Sequence, residues 1–191
     1  VARVSNPENQ SNNETAPRLL RYLIKNNHWS PFEHTYLTFE INTTRDISRQ
    51  ILRHKSLTFQ EYSQRYSVAS LDMEERECRL QDQKNRQNSL DTTDEELIDN
   101  WKFVQEQAWE STTGYYQWAL DMGIAKEQAR ALLPEGLTKT TLVATGNLRS
   151  WIHYIEIRAS KETQKEHRQV AEQIKDIISK EFPVIKEALE W

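Results

Sequence analysis

The stretch TYLTFEINTTRDISRQILRH, Thr35–His54, decides how this chain folds. Its first half alternates, with Leu37, Phe39 and Ile41 on one side and Tyr36, Thr38 and Glu40 on the other. That two-residue period predicts a half-buried strand over Thr35–Asn42. From about Arg45 to Arg53 the period becomes helical, with Ile47, Ile51 and Leu52 turned inward. Arg45, Arg49 and Arg53 then recur every four residues and stack on one face, while Gln50 and His54 share another. Like charges so spaced destabilise an isolated helix by roughly 0.2–0.5 kcal/mol per pair. The arrangement is easiest to explain if carboxylates or a bound anion neutralise it; the plainer reading is a solvated charged face with a salt bridge or two.

Working outward, Thr15 with Pro17 opens a helix carrying Leu19, Leu20, Leu23 and Ile24, which Asn26 and Asn27 stop. A loop with His28, Ser30 and Pro31 leads into the strand. After the arginine helix, Leu57–Tyr66 reads as a polar and aromatic loop, and the charged segment 72–91 as a surface excursion. Thr92 and Glu95 form a capping box for a long helix with Leu97, Trp101, Val104, Ala108, Tyr115, Ala119 and Met122 along one face. Gly123 ends it. A shorter helix, Lys126–Leu133, stops at Pro134, and Thr138–Thr145 is a strand or an extended connection. Asn147 caps a helix with Leu148, Trp151, Ile152 and Ile155 inward; Ser160 caps the last long one, with Val170, Ile174, Ile177 and Ile178 inward. Without regular β-α-β alternation the fold class is α+β, a helix-rich single domain over 1–191 with few strands.

Composition removes several kinds of chemistry. Hydrophobic residues make up 37% and charged residues 28% of 191, which suits a globular chain. The longest apolar runs, such as Ala131–Leu133, fall far short of the ~20 residues of a membrane span, and no charged-then-apolar leader is visible. One cysteine, Cys78, excludes an internal disulfide and a cysteine-based zinc site, and points to a reducing, cytoplasmic setting. Only four glycines are present, and their spacing writes neither a G-x-G-x-x-G turn nor a P-loop. Any dinucleotide phosphates must therefore be held by arginines and helix ends.

Between Thr43 and Tyr66, five cations face two carboxylates, a local excess of three on a chain of net charge −4. Within that window Arg53-His54-Lys55-Ser56 is followed by Glu61-Tyr62-Ser63-Gln64-Arg65-Tyr66. Arginine offers a planar fork for phosphate or a pyrimidine edge, and the tyrosines and His54 offer flat faces for a ring. A cationic patch on an acidic body suits a small anionic ligand, not a nucleic acid.

These residues resemble the flavin-dependent thymidylate synthases, marked by Arg-His-Arg, seven residues, then Ser. Here Arg53-His54-Lys55, the seven residues Ser56–Tyr62 and Ser63 keep that spacing, with lysine in third place. Six further blocks follow the family's order: Ala2-Arg3-Val4-Ser5, His28-x-Ser30-Pro31-Phe32-Glu33-His34, Lys84-Asn85-Arg86-Gln87, Arg130-x-x-Leu133-Pro134, Asn147-x-Arg149-Ser150 and Arg158-Ala159. Arg49-Gln50 precedes the motif as in the family. Three positions depart from it: Lys55 is a point charge in place of a fork, His153 stands for an asparagine, and Glu162 for a histidine. The segment that usually precedes Ala2 in the family is expected to be missing.

The resemblance implies a twisted antiparallel sheet flanked by helices, and reductive methylation of dUMP to dTMP. Methylenetetrahydrofolate would supply the carbon, NADPH would reduce FAD, and the reduced flavin would supply hydride. It implies a homotetramer with shared active sites, no nucleic-acid partner and no membrane. Carried over, Gln50, Glu61, Ser63, Gln64, Arg65, Arg130 and Arg158 would hold dUMP, with Arg65 reaching its phosphate from a neighbouring chain. Arg158 would stabilise negative charge on the ring. Ser30, Glu33, Arg53, His54, Lys55, Asn147, Arg149 and His153 would contact FAD, and His28 would lie near the flavin and the folate.

Plainer readings stand beside these. Ser63, with no histidine and aspartate partner legible, is a hydrogen-bonding group more readily than a nucleophile. Cys78 lies far from the cationic cluster in sequence and reads as an incidental thiol. His28 and His34 with Glu33 do not make a metal pattern, and no metal is expected. Trp101, Trp109 and Trp118 suit a core or subunit contacts. A related flavin enzyme acting on another uracil nucleotide or making a hydroxymethyl product, and a non-catalytic nucleotide- or RNA-binding module, are the alternatives.

Overall fold

In the computed structural model, which describes the backbone of all 191 residues and every side chain except that of Pro7, the strand-to-helix handover sits where the period changes. Strand β1 spans Tyr36–Thr44 and helix α2 follows at once over Arg45–Ile51. Before them lies α1, Ala16–Lys25, and after them β2, Thr58–Glu61, β3, Arg79–Gln81, and β4, Ser89–Asp91. Then come α3, Glu95–Asp121, α4, Lys126–Ala129, β5, Lys139–Asn147, and α5, Leu148–Arg158. The chain closes with α6, Lys165–Glu181, and α7, Pro183–Leu189. Single 3-10 turns occupy Ser30–His34 and Arg130–Leu132.

The main sheet has the order β1-β5-β2, and β3 and β4 form a separate antiparallel hairpin. Thr38 Oγ1 lies 2.9 Å from Thr145 Oγ1, and Thr141 Oγ1 donates to Asn42 Oδ1 at 2.8 Å. Numbers rise on β1 as they fall on β5, so the two strands are antiparallel. Thr58 Oγ1 donates to the Thr145 carbonyl at 3.2 Å and the Tyr62 N–H to the Thr141 carbonyl at 2.9 Å, which sets β2 antiparallel to β5 as well. The fold is the expected mixture of helices and antiparallel sheet.

The chain forms two compact units, Val1–Phe39 with Ser56–Thr58 and Thr145–Trp191, and Glu40–Lys55 with Phe59–Ala144. In the first, α5 is buried along Leu148, Trp151, Ile152 and Ile155, all four expected inward. Trp151 is its centre: the indole N–H donates to the Leu37 carbonyl at 3.1 Å, and Phe39 meets the ring edge-on at 4.8 Å. Gly146 is required here, because a Cβ would stand 2.2 Å from Leu57 Cδ2. In the second unit Tyr116 and Ala119 of α3 pack with Ala69, Ala129 and Leu133. The Ala69 N–H donates to the Tyr116 hydroxyl at 3.1 Å.

Several expectations are corrected. Helix α2 stops at Ile51, because the Arg53 N–H bonds the Gln50 carbonyl in a tighter turn; Leu52 is therefore exposed and Arg53 is no third rung of the arginine ladder. Residues 58–61, expected as loop, pair as β2. Asp94, not Thr92, caps α3, its Oδ1 accepting from the Leu97 N–H at 3.1 Å, while Thr92 Oγ1 accepts from the Asp94 N–H. A carboxylate there also meets the positive helix end. The buried face of α3 is Gln105, Trp109, Tyr116 and Ala119, whereas Leu97, Trp101, Val104, Tyr115 and Met122 are exposed. Ser160 does not cap α6; its hydroxyl donates back to the Ile157 carbonyl, Gln164 precedes the helix, and Ile177 is exposed.

Gln105 also anchors the start of the charged segment. Its Oε1 accepts from the Arg76 N–H at 2.8 Å and its Nε2 donates to the Arg76 carbonyl at 3.0 Å. Gln105→Leu leaves that part-buried N–H without its acceptor and should cost about 1 kcal/mol in urea denaturation, with faster proteolysis of residues 77–91.

Candidate functional site

The residues expected at the site fall in both units, and each set is built by its own local structure. In the second unit Glu61 ends β2 facing α2 and β5. Its Oε1 accepts from Ser48 Oγ at 2.9 Å and from Thr140 Oγ1 at 3.1 Å, and Arg45 Nη1 stands 3.7 Å away. Ser48 and Thr140 are both buried, so Glu61 is tied back through one oxygen by neutral donors. Arg49 turns elsewhere, its Nε donating to Glu135 Oε1 at 2.8 Å, and that carboxylate holds its guanidinium still more firmly protonated.

Arg65 and Arg130 meet at one residue. Arg65 Nε reaches Glu127 Oε2 at 3.3 Å, and Arg130 Nε donates to the Glu127 carbonyl at 3.3 Å. Gln64 is buried to 4% exposure, yet among the described residues its amide makes no hydrogen bond. Ser63 Oγ accepts only a long contact from the Arg65 N–H at 3.4 Å, with no histidine or aspartate at hand among the described residues. Gln50 and His54 are half-buried. Arg53 and Lys55 are exposed and, among the described residues, carry no ion-pair partner.

In the first unit the turn from β5 into α5 sets the geometry. Asn147 Oδ1 accepts from the Ser150 N–H at 2.9 Å and caps the helix, and the Leu148 N–H donates to the Thr35 carbonyl at 2.8 Å. Arg149 pairs with Glu33 on the Ser30–His34 turn. Ser30, His28 and His153 are exposed, and His28 meets Tyr22 edge-on at 6.4 Å.

Arg158 closes α5, half-buried, and among the described residues its buried Nε has no hydrogen-bond partner. Such a donor is costly unless something accepts from it. One turn earlier, burial pushes the Tyr154 hydroxyl well above the usual tyrosine pKa, against the opposing charge of Arg158. Tyr154 Oη lies 3.1 Å from Nε2 of the fully buried His167.

Sequence reasoning missed Arg45, Ser48, Thr140, Tyr154 and His167 as members of these clusters. Part of the signal was present: His167, Ala171, Ile174 and Ile178 follow the core spacing of α6, and Thr138, Thr140, Leu142 and Ala144 the two-residue period of β5.

Each unit carries donors of the kind that suit a flavin nucleotide bound without a glycine-rich turn. Arg53 and Lys55 are uncommitted cations for phosphates, Asn147 keeps its amide nitrogen free while its oxygen caps α5, and Arg149 is oriented by Glu33. No cluster of three or more histidines, cysteines or acids suited to a metal occurs among the described residues, and no described helix is long and apolar enough to cross a membrane.

The family model for the thymidylate synthase complementing protein matches residues 1–184. The chain belongs to that family. A "probable flavin-dependent thymidylate synthase" of Paramecium bursaria Chlorella virus 1 is 50% identical over 191 residues, all of this chain and 88% of that one. A flavin-dependent thymidylate synthase of Synechocystis is 48% identical over 190 residues and 86% of its length. Among solved structures, the UMP/dUMP methylase PolB from Streptomyces cacaoi bound with 5-Br dUMP superposes with a TM-score of 0.86 at 29% identity, over 98% of this chain and 86% of that one. Its complex with 5-Br UMP gives 0.83 at 30% identity, over 95% and 86%.

The cap separates stability from other duties of Asn147. Asn147→Ala should cost about 1 kcal/mol in thermal or urea denaturation, and Asn147→Ser should restore most of it.

Proposed function

We propose that this family member is a flavin-dependent thymidylate synthase that methylates dUMP reductively to dTMP, with FAD as cofactor and methylenetetrahydrofolate and NADPH as co-substrates. What carries the reading is the identity of 48–50% along the whole chain to proteins of that name, joined to the unpartnered buried Nε of Arg158. Reduced FAD supplies the hydride. Arg65 and Arg130 bind the nucleotide phosphate, each offering a planar fork in place of its contact with Glu127. Gln50, Gln64 and Glu61 take polar edges of the nucleotide, Glu61 through the oxygen that Ser48 and Thr140 leave open. Ser63 donates a hydrogen bond and forms no covalent bond. Arg158 is a fixed cation where negative charge develops on the pyrimidine ring, and its contribution is electrostatic. Ser30, Glu33, Arg53, His54, Lys55, Asn147, Arg149 and His153 hold the flavin nucleotide, and His28 lies by the flavin and the folate. The single cysteine supports a reducing, cytoplasmic setting.

A second reading, favoured by the likeness to a UMP/dUMP methylase, is that the same groups accept the ribonucleotide. Purified protein should be yellow. Arg158→Ala should abolish tritium release from C5-labelled dUMP while the flavin spectrum and fold persist. Mass analysis of products from dUMP and UMP separates methyl, hydroxymethyl and no transfer; a colourless protein that takes up no FAD sinks the proposal.

A homotetramer with shared sites belongs to the same reading, and α3 supports it. Leu97, Trp101, Val104, Ala108, Ser111, Tyr115, Trp118 and Met122 follow steps of four and three residues, and every one is exposed. That is the 3.5-residue seam of a helix pair. Two antiparallel copies would set the small Ala108 against Ser111 and larger residues outside them. Val104→Glu with Trp118→Glu should shift light-scattering mass from tetramer to smaller species.

A further inference from the structure

Arg45 leaves the backbone at the first residue of α2, where its N–H donates to the Thr138 carbonyl at 3.0 Å. Its side chain is 13% exposed and that of Glu61 18%, so the pair is shielded from solvent. Yet Nη1 stands 3.7 Å from Glu61 Oε1 and among the described residues makes no hydrogen bond. A bidentate fork would have taken both carboxylate oxygens. Here Ser48 and Thr140 fill Oε1, and among the described residues no donor reaches Oε2. The guanidinium therefore supplies charge without occupying the second oxygen, and in a poorly solvated setting charge acts at that distance without a hydrogen bond. Arg49, one turn on, differs: it pairs with Glu135 at the surface, where an ion pair does little.

We infer that Arg45 is a positioning residue for the uridylate half of the site, keeping the Glu61 carboxylate turned so that Oε2 remains open to a donor of the bound nucleotide. This rests on Glu61 contacting the nucleotide, as proposed above. Loss of Arg45 then weakens uridylate binding through Glu61 and leaves the flavin and the chemical step largely alone.

The test uses the full-length, FAD-loaded enzyme and tritium release from C5-labelled dUMP, comparing Arg45→Met, Arg45→Lys, Glu61→Gln and the Arg45→Met/Glu61→Gln double variant. Arg45→Met should raise the KM for dUMP about tenfold or more with little change in kcat. Arg45→Lys should recover most of that loss. In the Glu61→Gln background Arg45→Met should add less than about twofold, the signature of two residues acting as one. Additive effects, or an Arg45→Met enzyme with an unchanged KM but a lowered melting temperature, overturn the inference and leave the synthase reading standing. An unchanged KM in Glu61→Gln overturns it together with the role of Glu61, and a wild-type enzyme that releases no tritium sinks the synthase reading itself. If Arg45→Met does not fold, Arg45→Gln replaces it, and a KM equal to that of Arg45→Lys counts against the inference.

Discussion

The carboxylate of Glu61 is the constraint on which the candidate residues of the second unit depend. Ser48 comes from α2, Thr140 from β5 and Glu61 from the end of β2, so one oxygen ties three elements together. The residues that follow Glu61 inherit that placement. Gln64 is held in a buried position, and Arg65 is delivered to the same Glu127 that Arg130 touches. A polar knot of this kind specifies geometry more than it adds stability, because each hydroxyl exchanges a bond to water for a bond to the carboxylate.

Helix α5 plays the corresponding part in the first unit. Its N-terminus is fixed twice, by the Asn147 cap and by the Leu148 contact with the Thr35 carbonyl, and its inner face is locked by Trp151. Eleven residues span about 16 Å, so Arg149 and Arg158 lie at opposite ends of one rigid rod. A cation in the last turn is also where the helix field favours it. Placing Arg158 there lets the helix steady a charge whose Nε has no hydrogen-bond partner among the described residues.

Much of this was legible in the chain. The change of period after Asn42 located β1 and α2, Asn147 announced its own cap, and the ordered motifs named the family before any coordinate did. What stayed hidden was which of several apolar faces is covered. Along α3 apolar residues appear on more than one side, and the periodic set apart from Ala119 turned out exposed while Gln105, Trp109 and Tyr116 are buried. The arginine ladder failed for a local reason: a helix two residues shorter sends Arg45, Arg49 and Arg53 to separate fates. Ser48, Thr140 and His167 occupy core positions in otherwise apolar rows, where pattern marks them as inward but says nothing of their partners. The resemblance, in turn, named Glu61 without naming what holds it.

Glu127 carries a consequence for any ligand that arrives at Arg65 and Arg130. Its side chain already answers Arg65 through Nε, so an incoming anion meets a guanidinium that has a resident carboxylate beside it. Association at that corner takes place against that resident negative charge, so its response to ionic strength reports the newcomer and the ion pair together, not the newcomer alone.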